Sequence, residues 1–220
     1  MKAMILAAGR GERMRPLTDR MPKPLLEAGG KPLIQYHIEA LRDAGFRELV
    51  INHAHLGAQL VEHLGSGEQL GVRISYSAEP VGALETGGGI KRALTLLGEQ
   101  PFLVVNGDIW TDYPYARLQR EPDGLAHLVL IDNPAHNPDG DFQLSGDKVT
   151  DKGKQKLTFS GIGVYRPDLF SAVPEARFPL APVLCDAMQH GQVSGEYYPG
   201  QWMDIGSPQR LAELDQKLRG

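Results

Sequence analysis

The chain has 220 residues, of which 41% are hydrophobic and 23% are charged, a balance that excludes a disordered or fibrous class. Its net charge of −4 comes without a concentrated basic tract, so we expect no nucleic-acid partner. The longest apolar runs are far shorter than the ~20 residues of a membrane span, and the first residues lack the pattern of a signal peptide. We therefore expect a cytoplasmic protein with no membrane association. The single cysteine, Cys185, excludes an internal disulfide.

Apolar runs and helical patterns alternate through the first half of the chain, which is typical of βαβ units around a mostly parallel sheet. Strands are predicted at residues 2–8, 48–53, 72–77, 102–106 and 125–132. Helices are predicted at residues 32–44 and 58–64, and from near Thr86 through residue 97. The sequence therefore predicts an α/β fold.

The pattern changes after Asp132, where residues 133–140 are rich in turn-forming types. Apolar residues that alternate with polar ones then predict a hairpin that turns at residues 145–147. The remaining predicted elements are a strand at 157–165, a helix at 181–190, a strand at 197–205 and a helix at 208–218. We expect one domain across residues 1–220.

A glycine-containing loop follows the first predicted strand, where residues 6–18 read L-A-A-G-R-G-E-R-M-R-P-L-T. Glycines at positions 9 and 11 allow a tight turn that brings backbone N–H groups against a phosphate, and Arg13 adds positive charge. We interpret the loop as a triphosphate-binding loop, with a plain strand-to-helix turn as the alternative. A dinucleotide fingerprint is excluded because it needs glycine where Met14 stands, and a Walker loop is excluded because Leu25 stands at its first glycine position.

Lys23 lies between two prolines in the segment M-P-K-P-L, residues 21–25. Prolines on both sides predict an extended, pre-ordered segment. Such a segment suits a cation that reaches one phosphate, and an exposed lysine in a turn is the alternative.

The run G-x-G-x-R-M-x-P-L-T followed by P-K-P-L resembles the signature of the sugar-1-phosphate nucleotidyltransferases. The resemblance continues through residues 85–89, 106–108 and 202–206, so it covers nearly the whole chain. It implies a Rossmann-like three-layer sandwich of the nucleotide-diphospho-sugar transferase type, with a mostly parallel central sheet and a small inserted hairpin. It also implies a nucleotide-binding part at about residues 1–110 and a sugar-binding part at about 111–206.

The resemblance also implies a set of site residues. The nucleotide would be bound by Leu6, Ala7, Ala8, Gly9, Gly11, Glu12, Arg13, Lys23, Glu79, Glu85, Thr86 and Gly87. The sugar would lie near Asn106, Asp141, Ser160 and Gly161. Asp108 and Asp204 would hold one Mg²⁺, which prefers hard oxygen ligands.

The implied reaction is in-line attack of a sugar-phosphate oxygen on the α-phosphorus of a nucleoside triphosphate, with pyrophosphate leaving. The catalytic residues would be Arg13, Lys23 and Asp108, with Lys23 on the α-phosphate and Arg13 on the leaving pyrophosphate. Catalysis would rest on positioning and charge neutralisation, so a nucleophilic side chain is not required.

One segment departs from the pattern of many family members, which carry E-K-P after the hairpin where residues 149–154 read V-T-D-K-G-K. The candidates to replace that lysine are Asp151, Lys152, Lys154 and Lys156. This departure, the short chain and residues 132–134 and 140–142 most resemble the branch that acts on UTP and N-acetylmuramic acid 1-phosphate in cell-wall recycling. We therefore expect these two small-molecule substrates. The sequence does not indicate an oligomeric state.

Four alternatives stay open at this point. The chain could be a mannose or heptose 1-phosphate guanylyltransferase, or a glucose 1-phosphate thymidylyl- or uridylyltransferase, since the phosphate-binding residues are shared. It could also be a nucleotide-sugar-dependent glycosyltransferase, although the L-A-A-G loop and P-K-P segment have no evident use there. A non-catalytic regulatory module need not keep Arg13, Lys23, Asp108 and Asp204 together, so their joint presence argues against that class.

Overall fold

The predicted helices and most of the predicted strands occur in the predicted order in the computed structural model, which describes residues 1–80, 84–174 and 176–220. The short strands β2, β3 and β7 were not predicted. The elements are β1 (Lys2–Leu6), β2 (Glu27–Ala28), β3 (Lys31–Pro32), α1 (Leu33–Asp43), β4 (Glu48–His53), α2 (Gly57–Leu64), β5 (Arg73–Ala78), α3 (Glu85–Leu97), β6 (Phe102–Asn106), β7 (Ile109–Thr111), β8 (Ala126–Ile131), β9 (Gln143–Ser145), β10 (Lys148–Thr150), β11 (Thr158–Tyr165), α4 (Leu180–Gln189), β12 (Val193–Tyr197), β13 (Trp202–Asp204) and α5 (Pro208–Arg219). Of the described helices, none has the length and apolar character that crossing a bilayer requires.

Nine of the described strands form one sheet, in the order β5-β4-β1-β6-β11-β8-β12-β10-β9. The four strands from β5 to β6 are parallel to one another, and β8 and β12 form a further parallel pair. The strand β11 is antiparallel to both of its neighbours, and the hairpin β9–β10 closes one edge. The prediction of a mostly parallel sheet with a small inserted hairpin is confirmed.

Alternate residues of the central strands face two different helix layers. In β1, Ala3 and Ile5 belong to a core with α1 and α2, whereas Met4 belongs to a second core with α3 and α4. Both faces of the sheet are therefore covered, which explains why its central strands are continuously apolar. The predicted three-layer sandwich is confirmed.

A third, smaller apolar cluster joins the first loop of the chain to the last helix. Its fully or largely buried members are Met14, Leu26, Ala28, Leu33, Ile205 and Leu214. The backbone N–H of Gly29 also donates to Asp215 of α5 over 2.8 Å. The cluster thus holds α5 against the segment that follows β1.

The predicted strand at residues 197–205 is wrong, because two short strands of different sheets occupy this region. The strand β12 ends at Tyr197, and β13 pairs antiparallel with β7 in a separate two-stranded sheet. Pro199 and Gly200 lie between them, and both residue types interrupt a strand. The start of β12 was missed because its residues V-S-G-E-Y show little of the apolar pattern of a strand.

The prediction of an extended segment around Lys23 is also wrong. Residues Lys23–Leu25 form one turn of 3₁₀ helix, in which the N–H of Leu26 donates to the carbonyl of Lys23 over 3.1 Å. The φ of about −65° that proline imposes is compatible with a 3₁₀ turn as well as with an extended chain.

A buried histidine connects α1 to β7. The His37 Nε2–H donates to the carbonyl of Ile109 over 2.8 Å, and the Tyr115 hydroxyl lies 3.5 Å from the other ring nitrogen. Burial lowers the pKa of His37 to about 4, although the carbonyl of Ile109 and the charge of Asp108 both act to raise it. His37 is therefore neutral in the folded chain at neutral pH.

The free energy of unfolding should fall between pH 6.5 and 4 because of His37. In this window the unfolded chain binds a proton that the folded chain does not, so stability is lost as the pH falls, by up to about 3 kcal/mol. In His37→Gln this contribution is absent, so the stability difference between wild type and variant should shrink as the pH falls. Urea unfolding at several pH values measures this stability difference. His63→Gln is the control, because His63 is exposed. An equal difference at pH 7 and pH 4.5 would contradict the assignment.

Candidate active site

A cavity of about 470 Å³ opens at the carboxyl ends of β1 and β6. This is the edge at which ligands bind in open α/β sheets. Its described lining consists of Leu6, Ala7, Ala8, Gly9, Gly11, Glu12, Arg13, Met14, Lys23, Pro24, Asn52, Glu79, Glu85, Thr86, Asn106, Gly107, Asp108 and Gly206. Every residue predicted to bind a nucleotide is among them except Gly87. The structure therefore brings the separate motifs of the sequence into one cavity.

The loop after β1 is held in a closed shape by contacts with the segment that follows it. Gly11 has a φ of +66°, and a Cβ atom there would lie 2.9 Å from the Thr18 methyl group and 3.2 Å from the Lys23 Cβ. The Gly11 carbonyl accepts hydrogen bonds from the Thr18 hydroxyl at 2.8 Å and from the Met14 N–H at 2.9 Å. Glycine is required here because a side chain would be both strained and crowded.

Asn52 is a buried lining residue whose role sequence reasoning missed. Its Oδ1 accepts from the backbone N–H of Ala7 at 2.7 Å, and its Nδ2 donates to Glu79 Oε1 at 2.6 Å. The other oxygen of Glu79 accepts from the Leu84 N–H at 3.0 Å. One amide therefore ties the first loop to the carboxylate that follows β5. The only signal in the sequence is an asparagine near the end of the apolar strand β4.

The glycine run at the start of α3 is packed without space for side chains. A Cβ atom at Gly87 would lie 2.4 Å from the Phe178 ring, and one at Gly89 would lie 2.5 Å from Glu79 Oε1. Gly87 thus faces Phe178, while Gly89, which was not predicted as a site residue, leaves space for the Glu79 carboxylate. Glu85 and Thr86, just before the run, line the cavity.

Lys23 and Asp108 form an ion pair at one wall of the cavity, with 2.9 Å between Lys23 Nζ and Asp108 Oδ2. The lysine side chain is 9% exposed and the aspartate side chain 42% exposed, so the carboxylate reaches into the opening. Among the described residues, Asp108 Oδ1 has no hydrogen-bond or ion-pair partner. It is free to bind a further group.

Pairing of two short strands places Asp204 beside Asp108. Asp204 in β13 is opposite Ile109 in β7, and the Ile205 N–H donates to the Asp108 carbonyl over 2.8 Å. Asp204 Oδ2 lies 2.5 Å from Arg210 Nη1 and 3.5 Å from His136 Nε2. Sequence reasoning named neither of these two residues, since one reaches Asp204 from a loop and the other from a helix.

Asn106 is the one predicted sugar residue that lines the cavity. It packs on Gly161, where φ is +81° and a Cβ atom would lie 2.5 Å from Asn106 Nδ2. The adjacent Ser160 is buried, and its carbonyl accepts from the Trp202 indole N–H over 2.9 Å. Asp141 lies farther out, where it accepts from the Phe159 N–H over 2.8 Å. These residues form a connected wall beside the cavity.

The four candidates to replace the E-K-P lysine are absent from the described lining of the cavity, namely Asp151, Lys152, Lys154 and Lys156. Burial raises the pKa of the Cys185 thiol on α4; the charge of Asp151 raises it further and that of Lys156 lowers it. Asp151 and Lys156 are therefore near α4. The structure does not bring this loop to Asp108.

Hard oxygen donors are available for a cation at this site, although they are few. Within residues 1–80, 84–174 and 176–220, no group of three or more His, Cys, Asp and Glu side chains is arranged to hold a metal ion. Asp108 and Asp204 are brought together through their backbones, and Asp108 belongs to the described lining of the cavity whereas Asp204 does not. Two carboxylates that leave other positions to substrate phosphates are a donor set that Mg²⁺ accepts.

Asn52→Ala should lower the free energy of unfolding by about 1–3 kcal/mol, because the Ala7 N–H and Glu79 Oε1 then lose a buried hydrogen-bond partner. Urea unfolding followed by circular dichroism measures the change. Gln100→Ala is the matched control, since Gln100 is exposed. Equal free energies of unfolding in the two variants would show that the Asn52 contacts do not stabilise the fold.

Comparison with known proteins gives consistent results in sequence and structure. A family model described as nucleotidyl transferase matches residues 2–142. The N-acetylmuramate alpha-1-phosphate uridylyltransferase of Neisseria meningitidis is 54% identical, over 100% of this chain and 99% of that protein. The protein of the same name from Caulobacter vibrioides is 37% identical, over 98% and 96%. A Bacillus anthracis structure provisionally described as a glucose-1-phosphate thymidylyltransferase shares the fold, with a TM-score of 0.87 at 22% identity over 100% and 95%.

Proposed function

Because this chain belongs to the nucleotidyl transferase family, we propose that it transfers a uridylyl group from UTP to N-acetylmuramic acid 1-phosphate. The products are UDP-N-acetylmuramic acid and pyrophosphate. The observation that carries the chemistry is the convergence of the phosphate loop, Lys23 and Asp108 in one cavity, with Asp204 beside them. The choice of substrates rests on the relative that is 54% identical over its full length. We also propose that the reaction serves cell-wall recycling in the cytoplasm.

The nucleotide occupies the cavity with its phosphates against the first loop. Backbone N–H groups of a glycine-rich loop suit phosphate oxygens, and Arg13 neutralises charge on the leaving pyrophosphate. Glu79 faces the base, where its carboxylate can accept the imide N–H of uracil. Both of its oxygens already accept one hydrogen bond, but a carboxylate oxygen can accept a second. Asn52 and the Leu84 N–H thus hold the acceptor in place.

Lys23 holds the α-phosphate while remaining bonded to Asp108. Its ammonium group has three N–H donors and uses one of them on Asp108 Oδ2, which leaves two for phosphate oxygens. Its burial in a 3₁₀ turn fixes the direction of approach. Asp108 and Asp204 would hold Mg²⁺ through oxygens that have no partner among the described residues, and the ion would supply charge neutralisation at the phosphates.

The attacking group is an oxygen of the sugar 1-phosphate, and no covalent enzyme intermediate is formed. None of the described residues that line the cavity is a serine, cysteine or histidine. The sugar lies near Asn106 at the end of β6 and near Asp141, Ser160 and Gly161 in the part of the chain after residue 110. Catalysis then consists of holding two phosphorylated molecules in line and neutralising their charge.

Pyrophosphate release in the presence of Mg²⁺ should occur with UTP and N-acetylmuramic acid 1-phosphate and be at least about 100-fold slower with other pairs. The test crosses UTP, dTTP, GTP, ATP and CTP with the 1-phosphates of N-acetylmuramic acid, N-acetylglucosamine, glucose and mannose. Faster turnover with another pair would keep the mechanism and overturn the assigned substrates. No turnover with any pair would sink the proposed function.

Asp108→Asn and Asp204→Asn should each reduce turnover about 100-fold or more while the fold is retained, because each removes a charged oxygen donor from the metal site. Turnover and far-ultraviolet circular dichroism are measured together. The control is Asp43→Asn, which changes an exposed carboxylate at the end of α1. Near-native turnover in either site variant would contradict the assignment of the metal ligands.

A further inference from the structure

The Arg210 guanidinium and the His136 ring both approach one oxygen of Asp204, and the other oxygen has no partner among the described residues. Arg210 Nη1 is 2.5 Å from Oδ2, and the same nitrogen lies 3.5 Å from the backbone carbonyl of Asp204. His136 Nε2 approaches Oδ2 to 3.5 Å, and its ring lies nearly parallel to that of Trp202. The carboxylate side chain is only 15% exposed, so its orientation is set by these neighbours.

The guanidinium of Arg210 is carried by a helix that is fixed to β13 and to the first loop. Arg210 lies in the first turn of α5, and its backbone N–H donates to the capping hydroxyl of Ser207 over 3.3 Å. Leu214 of the same helix is buried with Met14 and Ile205. Arg210 is therefore held in a defined place beside the cavity and is not a mobile surface side chain.

Arg13 is a second arginine near the same carboxylate. A Cβ atom at Gly206 would lie 3.0 Å from Arg13 Nη2 and 2.9 Å and 3.0 Å from the two oxygens of Asp204, so the two groups converge on this glycine. Arg13 itself forms no ion pair within the described parts of the chain. An Asp204 carboxylate that lost its partner at Oδ2 would be drawn towards Arg13.

We propose that Arg210 is a positioning residue that fixes the Asp204 carboxylate, presents Oδ1 to the divalent cation and keeps Asp204 from pairing with Arg13. This inference rests on the proposed function, because it assigns a role toward the metal of that site. Residues that orient metal ligands typically change metal affinity 10–100-fold when they are replaced. The arrangement also leaves Arg13 free for the pyrophosphate.

The test measures metal binding directly and does not depend on turnover. Free Mn²⁺ is quantified by electron paramagnetic resonance in nucleotide-free protein, so that phosphate groups neither occupy Arg13 nor bind the ion. Arg210→Met should raise the Kd for Mn²⁺ about 10–100-fold. Arg210→Lys keeps the positive charge on a single nitrogen, so its Kd for Mn²⁺ should lie between those of the wild type and Arg210→Met. Arg219→Met is the matched control, since Arg219 is on the same helix and pairs with Asp215 at the surface.

A second variant separates positioning from loss of structure. Adding Arg13→Met to Arg210→Met should bring the Kd for Mn²⁺ back towards the wild-type value, because the competing cation is gone. A protein that is merely misfolded would not recover in this way. Wild-type Mn²⁺ affinity in Arg210→Met, or no recovery in the double variant, would overturn the proposal. Failure of the substrates in the turnover assay would instead overturn the proposed function and leave this result standing.

Discussion

The pairing of β7 with β13 is the contact on which the rest of the site depends. These are strands of three residues each, yet their register and the hydrogen bond from Ile205 to Asp108 bring together the backbones of two aspartates that are 96 positions apart in the sequence. The large sheet alone would provide only Asp108, at the end of β6. A small accessory sheet therefore completes a site that the main sheet begins, and α5 holds it in place through a shared apolar cluster.

Elements on the nucleotide side are tied together in a different way, through buried polar contacts. Asn52 joins the backbone of the first loop to Glu79, and Gly89 leaves the space that the Glu79 carboxylate occupies. A buried polar network of this kind is stable only when each member has its partner. At the Glu79 end of the cavity both carboxylate oxygens are paired, whereas at the other end Asp108 Oδ1 has no partner among the described residues and the Asp108 side chain is 42% exposed.

The sequence predicted those features that arise from local pattern and missed those that arise from distant contacts. Strands β4 and β6 have their predicted bounds because each contains a short apolar run that ends at polar residues. The region of β12 and β13 was predicted as one strand, since nothing local shows that the two halves pair in different sheets. Asn52, His136 and Arg210 belong to no recognised motif. Only their contacts in the folded chain connect them with the site. The family resemblance supplied the motif residues, of which the structure gathers most into one cavity.

The distribution of the acidic pair along the chain also has a consequence for how the protein is made. Translation adds about 5–20 residues per second, so Asp204 and Arg210 leave the ribosome roughly 5–20 s after Asp108. In that interval the nascent chain already contains the phosphate loop, Lys23 and Asp108, but it lacks the second carboxylate and the strand that positions it. A translation product that stops before β13 lacks Asp204 and also α5, whose Leu214 packs with Met14 of the first loop. Premature termination therefore removes both the second aspartate and the helix that holds the first loop in place.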